Sequence, residues 1–327
     1  INNVSNLSVI EDSVAEHKFD YDAPQTMGVR VGFLLNRLGI LRLRRVQGVL
    51  INFNGNDVLE SLIGLKSVHR ENGCNGLRYL CVMGSKYLEN YREIGVDPRT
   101  TEISVVGNPS YEFCYQLNSE FDQKEKQAFL EGSGLPPGRT LFSLFISPSS
   151  LSKDQINEIM MVIDTIAGVE NSAHFAVKLH PKTKAQSVCA VKDAMARLEG
   201  KVTLFTEFTD DVFNAKLVKC SKAIVQKQST LGFLALIFRV PILSYNLVDT
   251  NYHDDLFKML DISVHSETES QLREAIGMLD DPVALAAYLK YMGKMEKQYC
   301  RFEESPCDNV IAIIDRHFRS DARRLHT

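Results

Sequence analysis

The chain has no apolar run near the roughly 18–20 residues that a membrane-spanning helix needs and no recognisable secretion signal. Its seven cysteines (74, 81, 114, 189, 220, 300 and 307) include no CxxC pair. An odd number without metal-ligand spacing points to reduced thiols in a cytosolic protein. The eight histidines form no HExxH or HxH pattern, which argues against a histidine-built metal site. There is no internal repeat and no low-complexity segment. Positive charge is not in excess either. Lys and Arg number 37 against 41 Asp and Glu, for a net charge of −4 and a pI near 6.1. Nucleic acid is therefore not an expected partner, and a broad electrostatic hold on an anionic membrane is not expected.

What is present is ordinary globular composition: 327 residues, 44% hydrophobic and 24% charged, enough for two domains. Residues 1–27 form a polar leader with an acidic bias (Glu11, Asp12, Glu16, Asp20, Asp22). Its Asn3-Val4-Ser5 and Asn6-Leu7-Ser8 sequons are read as chance, since no secretion signal accompanies them. The chain opens on Ile1 rather than Met, so sequence upstream is expected.

Beyond the leader, short β-rich runs alternate with helical patterns. Strands are predicted at 49–53, 79–83, 103–106, 141–146, 174–179, 202–205, 223–225 and 242–245, with a brief one at 262–264. Helices are predicted between them, then at 267–279 behind Ser266, at 282–296 and at 309–319. Residues 117–140 are charged and then rich in glycine and proline, and read as a connector. This alternation predicts an α/β protein of two Rossmann-like, doubly wound domains with parallel sheets facing a central cleft. The expected divisions are a first domain at 1–135, a second at 136–300 and a C-terminal helix at 301–327.

In the second domain, polar turns fall where strands hand over to helices. They are Ser147-Pro148-Ser149-Ser150, His180-Pro181-Lys182, the loop 207–211 and Gln228-Ser229-Thr230, the last part of a polar turn read from Gln226 to Thr230. In a parallel sheet these strand ends share one edge and one crevice. Hydroxyls, a histidine and lysines (with Lys178 and Lys184 nearby) in front of helix N-termini make a candidate phosphate site. The plainer alternative is that Ser229 and Thr230 only cap the helix that follows, and that His180 is a turn residue. In the first domain, Gly107-Asn108-Pro109 ends a strand, where α/β proteins often keep ligand contacts; a simple turn is the alternative.

Val177-Lys178-Leu179-His180-Pro181-Lys182 resembles the HP motif of bacterial GT-B glycosyltransferases that build surface polysaccharides. Capsule synthesis enzymes, sialyl- and polysialyltransferases and teichoic-acid-type glycerophosphotransferases share that motif. Ser229-Thr230-Leu231-Gly232-Phe233-Leu234-Ala235-Leu236, followed by Val240-Pro241, is similar to their later serine/threonine motif. Val105-Val106-Gly107-Asn108-Pro109 resembles a segment of the UDP-N-acetylglucosamine 2-epimerases, which have the same GT-B fold. The likeness covers roughly 80–250.

The resemblance implies a metal-independent glycosyltransferase without a cofactor. A CMP- or UDP-sugar would be its donor and a glycan its acceptor. The expected location is cytoplasmic, with peripheral contact at the inner face of the membrane. On this likeness His180, Pro181, Lys182, Ser149, Ser150, Gln228, Ser229 and Thr230 hold the donor phosphate, and Glu207 sits near the nucleoside. A general base must take a proton from the acceptor hydroxyl. Glu71, in Glu71-Asn72-Gly73, is the candidate in the first domain, with Asp57 as its alternative. Two positions depart from the motif: Leu234 stands where a glutamate is usual, and Arg239 where a glycine is. The epimerases' UDP-gripping residues are absent, which favours transfer over epimerisation. An epimerase-like enzyme and a non-catalytic nucleotide-binding domain remain as alternatives.

Overall fold

The computed structural model describes residues 49–52, 79–93, 98–99, 101–148, 150–198, 200–227, 229–248 and 256–324. The chain divides into two compact units, 1–112 with 297–327 and 113–296.

The described part of the first unit is a three-stranded parallel sheet in the order β1 (Val49–Asn52), β2 (Tyr79–Val82), β3 (Glu102–Val105). Helix α1 (Ser85–Glu93) follows β2. The amphipathic C-terminal helix, α11 (Pro306–Arg324), lays Val310 and Ile313 on Tyr79, Cys81 and Val106. Arg316 extends the contact by pairing with Glu102 at 2.8 Å.

The second unit opens with α2 (Glu112–Glu120, starting at the boundary) and α3 (Gln123–Gly132). Much of the stretch read as a connector is therefore helical. Its Gln, Lys and Glu content favours helix, and Asp122 caps α3 by accepting from the Glu125 N–H. A six-stranded sheet follows, built from β4 (Thr140–Ile146), β5 (Ala173–Leu179), β6 (Val202–Phe205), β7 (Ala223–Lys227), β8 (Ile242–Tyr245) and β9 (Val264–Ser266). Its spatial order is β6-β5-β4-β7-β8-β9, and every pair is parallel. The helices between strands are α4 (Lys153–Val169), α5 (Ala185–Met195), α6 (Asp211–Cys220), α7 (Gly232–Phe238) and α8 (Leu256–Met259). Then come α9 (Glu269–Asp280) and α10 (Pro282–Tyr299).

The parallel α/β architecture expected from the alternation is present. Local details shift. β7 runs two residues past the predicted strand, through Gln226 and Lys227. β9 lies two residues later than expected, and Thr268, not Ser266, caps α9 through a capping box with Gln271. The main core joins one face of the sheet to α4 and α9. Phe142, Leu144, Phe175, Val177, Val225 and Leu243 meet Ile159, Ile163, Leu272 and Ile276. At roughly 1.5–3 kcal/mol for each large apolar side chain removed from water, this face anchors the unit.

Candidate functional site

The strand order of the second unit reverses direction between β4 and β7. From β4 the chain steps outward to β5 and β6, then returns to β7 on the other side and moves on to β8 and β9. In open parallel sheets ligands bind outside the carboxyl ends of the strands at such a reversal. The loops after β4 and β7 begin there, and the loop after β5 adjoins them. Register fixes their level, because Ile146 is opposite both Leu179 and Lys227, the last residues of their strands.

The first two loops along this edge are tied together. The His180 N–H donates to the Ile146 carbonyl at 2.9 Å, and the Thr183 hydroxyl donates to the Pro148 carbonyl at 3.4 Å. Buried Ser187, on α5, accepts from the Leu151 N–H at 3.0 Å. His180, Pro181 and Lys182 are exposed. His180 Nδ1 accepts from the Lys182 N–H at 3.1 Å. In the neutral ring the proton therefore sits on Nε2, which is then a donor. α5 begins at Ala185 without a side-chain cap, so its first N–H groups have no side-chain acceptor. Ser150 is exposed, and Ser149 lies outside the described residues.

Beyond β7, Ser229 is buried and its hydroxyl accepts from the Leu231 N–H at 3.3 Å, closing the turn into α7. Thr230 is exposed, and its carbonyl accepts from Phe233 at 3.0 Å. Gln228 lies outside the described residues. Glu207, after β6, is exposed beside Phe208, which is 78% exposed. Asp210 caps α6 through the Phe213 N–H at 2.7 Å.

Two features at this edge escape the sequence reading. Glu158 on α4 is buried, and its carboxylate accepts from Lys227 Nζ at 2.9 and 3.2 Å and from the Leu247 and Val248 N–H groups at 2.7 and 3.2 Å. Lys227 also donates to Asn246 at 2.9 Å. This pair holds the end of β7 to the loop after β8. Its signal in the sequence is that Glu158, Val162 and Thr165 fall on one line of a helix. The second feature is Gln226, read as turn but built into β7 with no exposed surface.

In the first unit, Gly107 takes φ +85°, and a Cβ there would meet the Arg301 carbonyl at 2.8 Å. Asn108 is buried, and its side chain accepts from the Ser110 N–H at 2.9 Å to cap a 3-10 turn that begins at Pro109. Each of the three residues thus has a local structural task. Glu71 and Asp57 lie outside the described residues. Among the described residues no three or more His, Cys, Asp or Glu side chains gather to hold a metal ion. No helix among them is long and apolar enough to cross a membrane.

No family model matches the chain, and no curated protein matches it. Solved structures do. S. aureus MnaA, solved with UDP, superposes at TM-score 0.57 with 12% identity over 98% of this chain and 83% of that one. Methanocaldococcus jannaschii UDP-GlcNAc 2-epimerase, in complex with UDP-GlcNAc and UDP, gives 0.52 with 16% identity over 90% and 82%. The wall teichoic acid polymerase TagF, in a variant soaked with CDPG, gives 0.51 with 14% identity over 75% and 58%. The chain shares its fold with these GT-B enzymes. It spans under two thirds of the TagF chain that it matches.

Proposed function

We propose that the chain is a sugar-nucleotide enzyme, and within that class a glycosyltransferase. It moves a sugar from a nucleotide-activated donor, a CMP- or UDP-sugar, to a glycan acceptor in the synthesis of a bacterial surface polysaccharide. The observation that carries the reading is the reversal of strand order between β4 and β7, with His180, Ser150 and Thr230 exposed in the loops along that edge. In this reading the donor phosphate lies against the His180-Pro181-Lys182 turn and the uncapped start of α5, where N–H groups and the helix dipole favour an anion. Lys182 and Lys184 add positive charge, so helix dipoles and side chains would neutralise the leaving phosphate without a metal ion. Glu207, exposed at the end of β6, accepts from the ribose hydroxyls. Glu71 or Asp57 serves as the base. The enzyme would work in the cytoplasm, with peripheral contact at the inner membrane.

A thermal-shift screen with CMP, UDP, GDP and CDP tests the donor site. A nucleotide at a hundred times its Kd stabilises by about 2.7 kcal/mol, and one of the four is expected to raise the melting temperature. If none does, the donor reading fails. Alanine at Glu71 or at Asp57 is expected to lower transfer by about 100-fold or more, and full activity in both variants would exclude them as bases. The fuller coverage of UDP-GlcNAc 2-epimerase than of TagF favours one second reading, a sugar-nucleotide epimerase. Conversion of UDP-N-acetylglucosamine without any acceptor would decide for it.

A further inference from the structure

The face of the second sheet opposite the main core carries a row of unusual composition. Side chains alternate along a strand, so with Val177, Leu144, Val225 and Leu243 in the core, Lys178, Phe145, Gln226 and Ser244 belong to the other face. The register places these four side by side, Lys178 opposite Phe145, Phe145 opposite Gln226, and Gln226 opposite Ser244. The Ser244 hydroxyl is satisfied by Ser263 at 2.7 Å and by His265 at 2.9 Å. Lys178 and Gln226 are not satisfied. Lys178 is 5% exposed and has no hydrogen-bonding or ionic partner among the described residues. Gln226 has no exposed surface, and neither its amide nitrogen nor its amide oxygen has a partner.

An amide buried without partners costs stability, as does an ammonium on a side chain largely withdrawn from water, and native structures rarely retain them without a use. The row lies one residue, roughly 3.3 Å, below the edge from which the loops after β5 and β7 depart. We infer that Lys178 and Gln226 are the floor of the ligand site. Gln226 has no exposed surface as it stands, so ligand entry must first open a path to it. A phosphate at the edge then accepts from Lys178 Nζ and from the Gln226 amide nitrogen, while the Gln226 oxygen accepts from a hydroxyl of the adjoining sugar. An amide presents both a donor and an acceptor, so the group it fits carries both in turn, as a phosphorylated sugar or nucleoside does. This rests on the donor-site reading and adds to it a buried pair that selects ligand.

Lys178→Met and Gln226→Leu keep shape and remove polarity. Both variants are expected to melt about 2–4 °C higher than the wild type while losing affinity. Calorimetric titration with CMP, UDP, CDP and inorganic pyrophosphate reads the second effect. Lys178→Met is expected to weaken the binding of nucleotide and pyrophosphate by about tenfold or more, and Gln226→Leu to weaken the nucleotide by a similar factor. If the wild type binds a nucleotide and both variants bind it equally well, the inference is wrong and the donor reading stands. If the wild type binds pyrophosphate through Lys178 but no nucleotide, the donor reading is wrong and the anion floor stands. Binding of neither probe sinks both. A lower melting temperature in both variants would mark the pair as structural and also overturn the inference.

Discussion

Gly232 sits where a side chain cannot. A Cβ on it would lie 2.3 Å from the Phe257 ring, which is itself fully buried and packed edge-on against Phe233 with centroids 5.1 Å apart. Gly232→Ala is therefore expected to destabilise by about 2–3 kcal/mol, as overpacking of a rigid core does, and urea melts will show it. Arg239, seven positions on, ends α7 in the left-handed region at φ 54°, ψ 42°. The glycine usual at that motif position is thus the residue its backbone favours, and Arg239→Gly is expected to stabilise by about 0.5–1 kcal/mol. Lys178 adds a pH signature. Burial alone lowers its pKa below the ordinary 10.5. Between that lowered value and 10.5, the unfolded chain holds a proton that the folded chain has released, so stability rises with pH across the window. The advantage of Lys178→Met over the wild type should therefore shrink as pH climbs towards 10.5, and melts of the two proteins side by side measure it.

At the scale of elements, β7 shows why the sequence was only partly legible. Gln226, Lys227 and their neighbours read as a polar turn because local composition offers no other interpretation. The strand continues because Lys227 finds Glu158, a partner 69 positions away. No window of a dozen residues contains that fact. A strand whose residues are apolar throughout, such as β2 (YLCV), was legible for the opposite reason: its burial needs no distant polar partner. The Glu158–Lys227 pair makes its own prediction. Lys227→Met alone leaves the Glu158 carboxylate without its ammonium in the interior and should cost about 3–5 kcal/mol, whereas adding Glu158→Leu should recover most of that loss. A double-mutant cycle by denaturant unfolding tests it, and additive single effects would show that the two groups do not interact.

At the scale of the whole molecule, the order of elements along the chain was legible, but their return path was not. The amphipathic pattern near the C-terminus predicts a helix, and α11 is one. Nothing in that pattern says which surface it covers, because a hydrophobic stripe fits any apolar sheet of the right width. The structure lays it on the first unit. Val310 and Ile313 close over Tyr79, Cys81 and Val106, while Asn309 donates to the Val106 carbonyl at 3.2 Å. The chain that begins in this unit thus finishes it some two hundred residues later, after the whole six-stranded sheet has been built. Truncation after Ser305 would uncover that sheet and remove at least two buried side chains, at roughly 1.5–3 kcal/mol each. Hydrogen exchange should then show amides of β2 and β3 losing protection while those of β4, β5 and β7 keep theirs. A uniform loss would mean that the two units unfold as one, and unchanged protection in β2 and β3 would mean that α11 adds nothing to the core it touches.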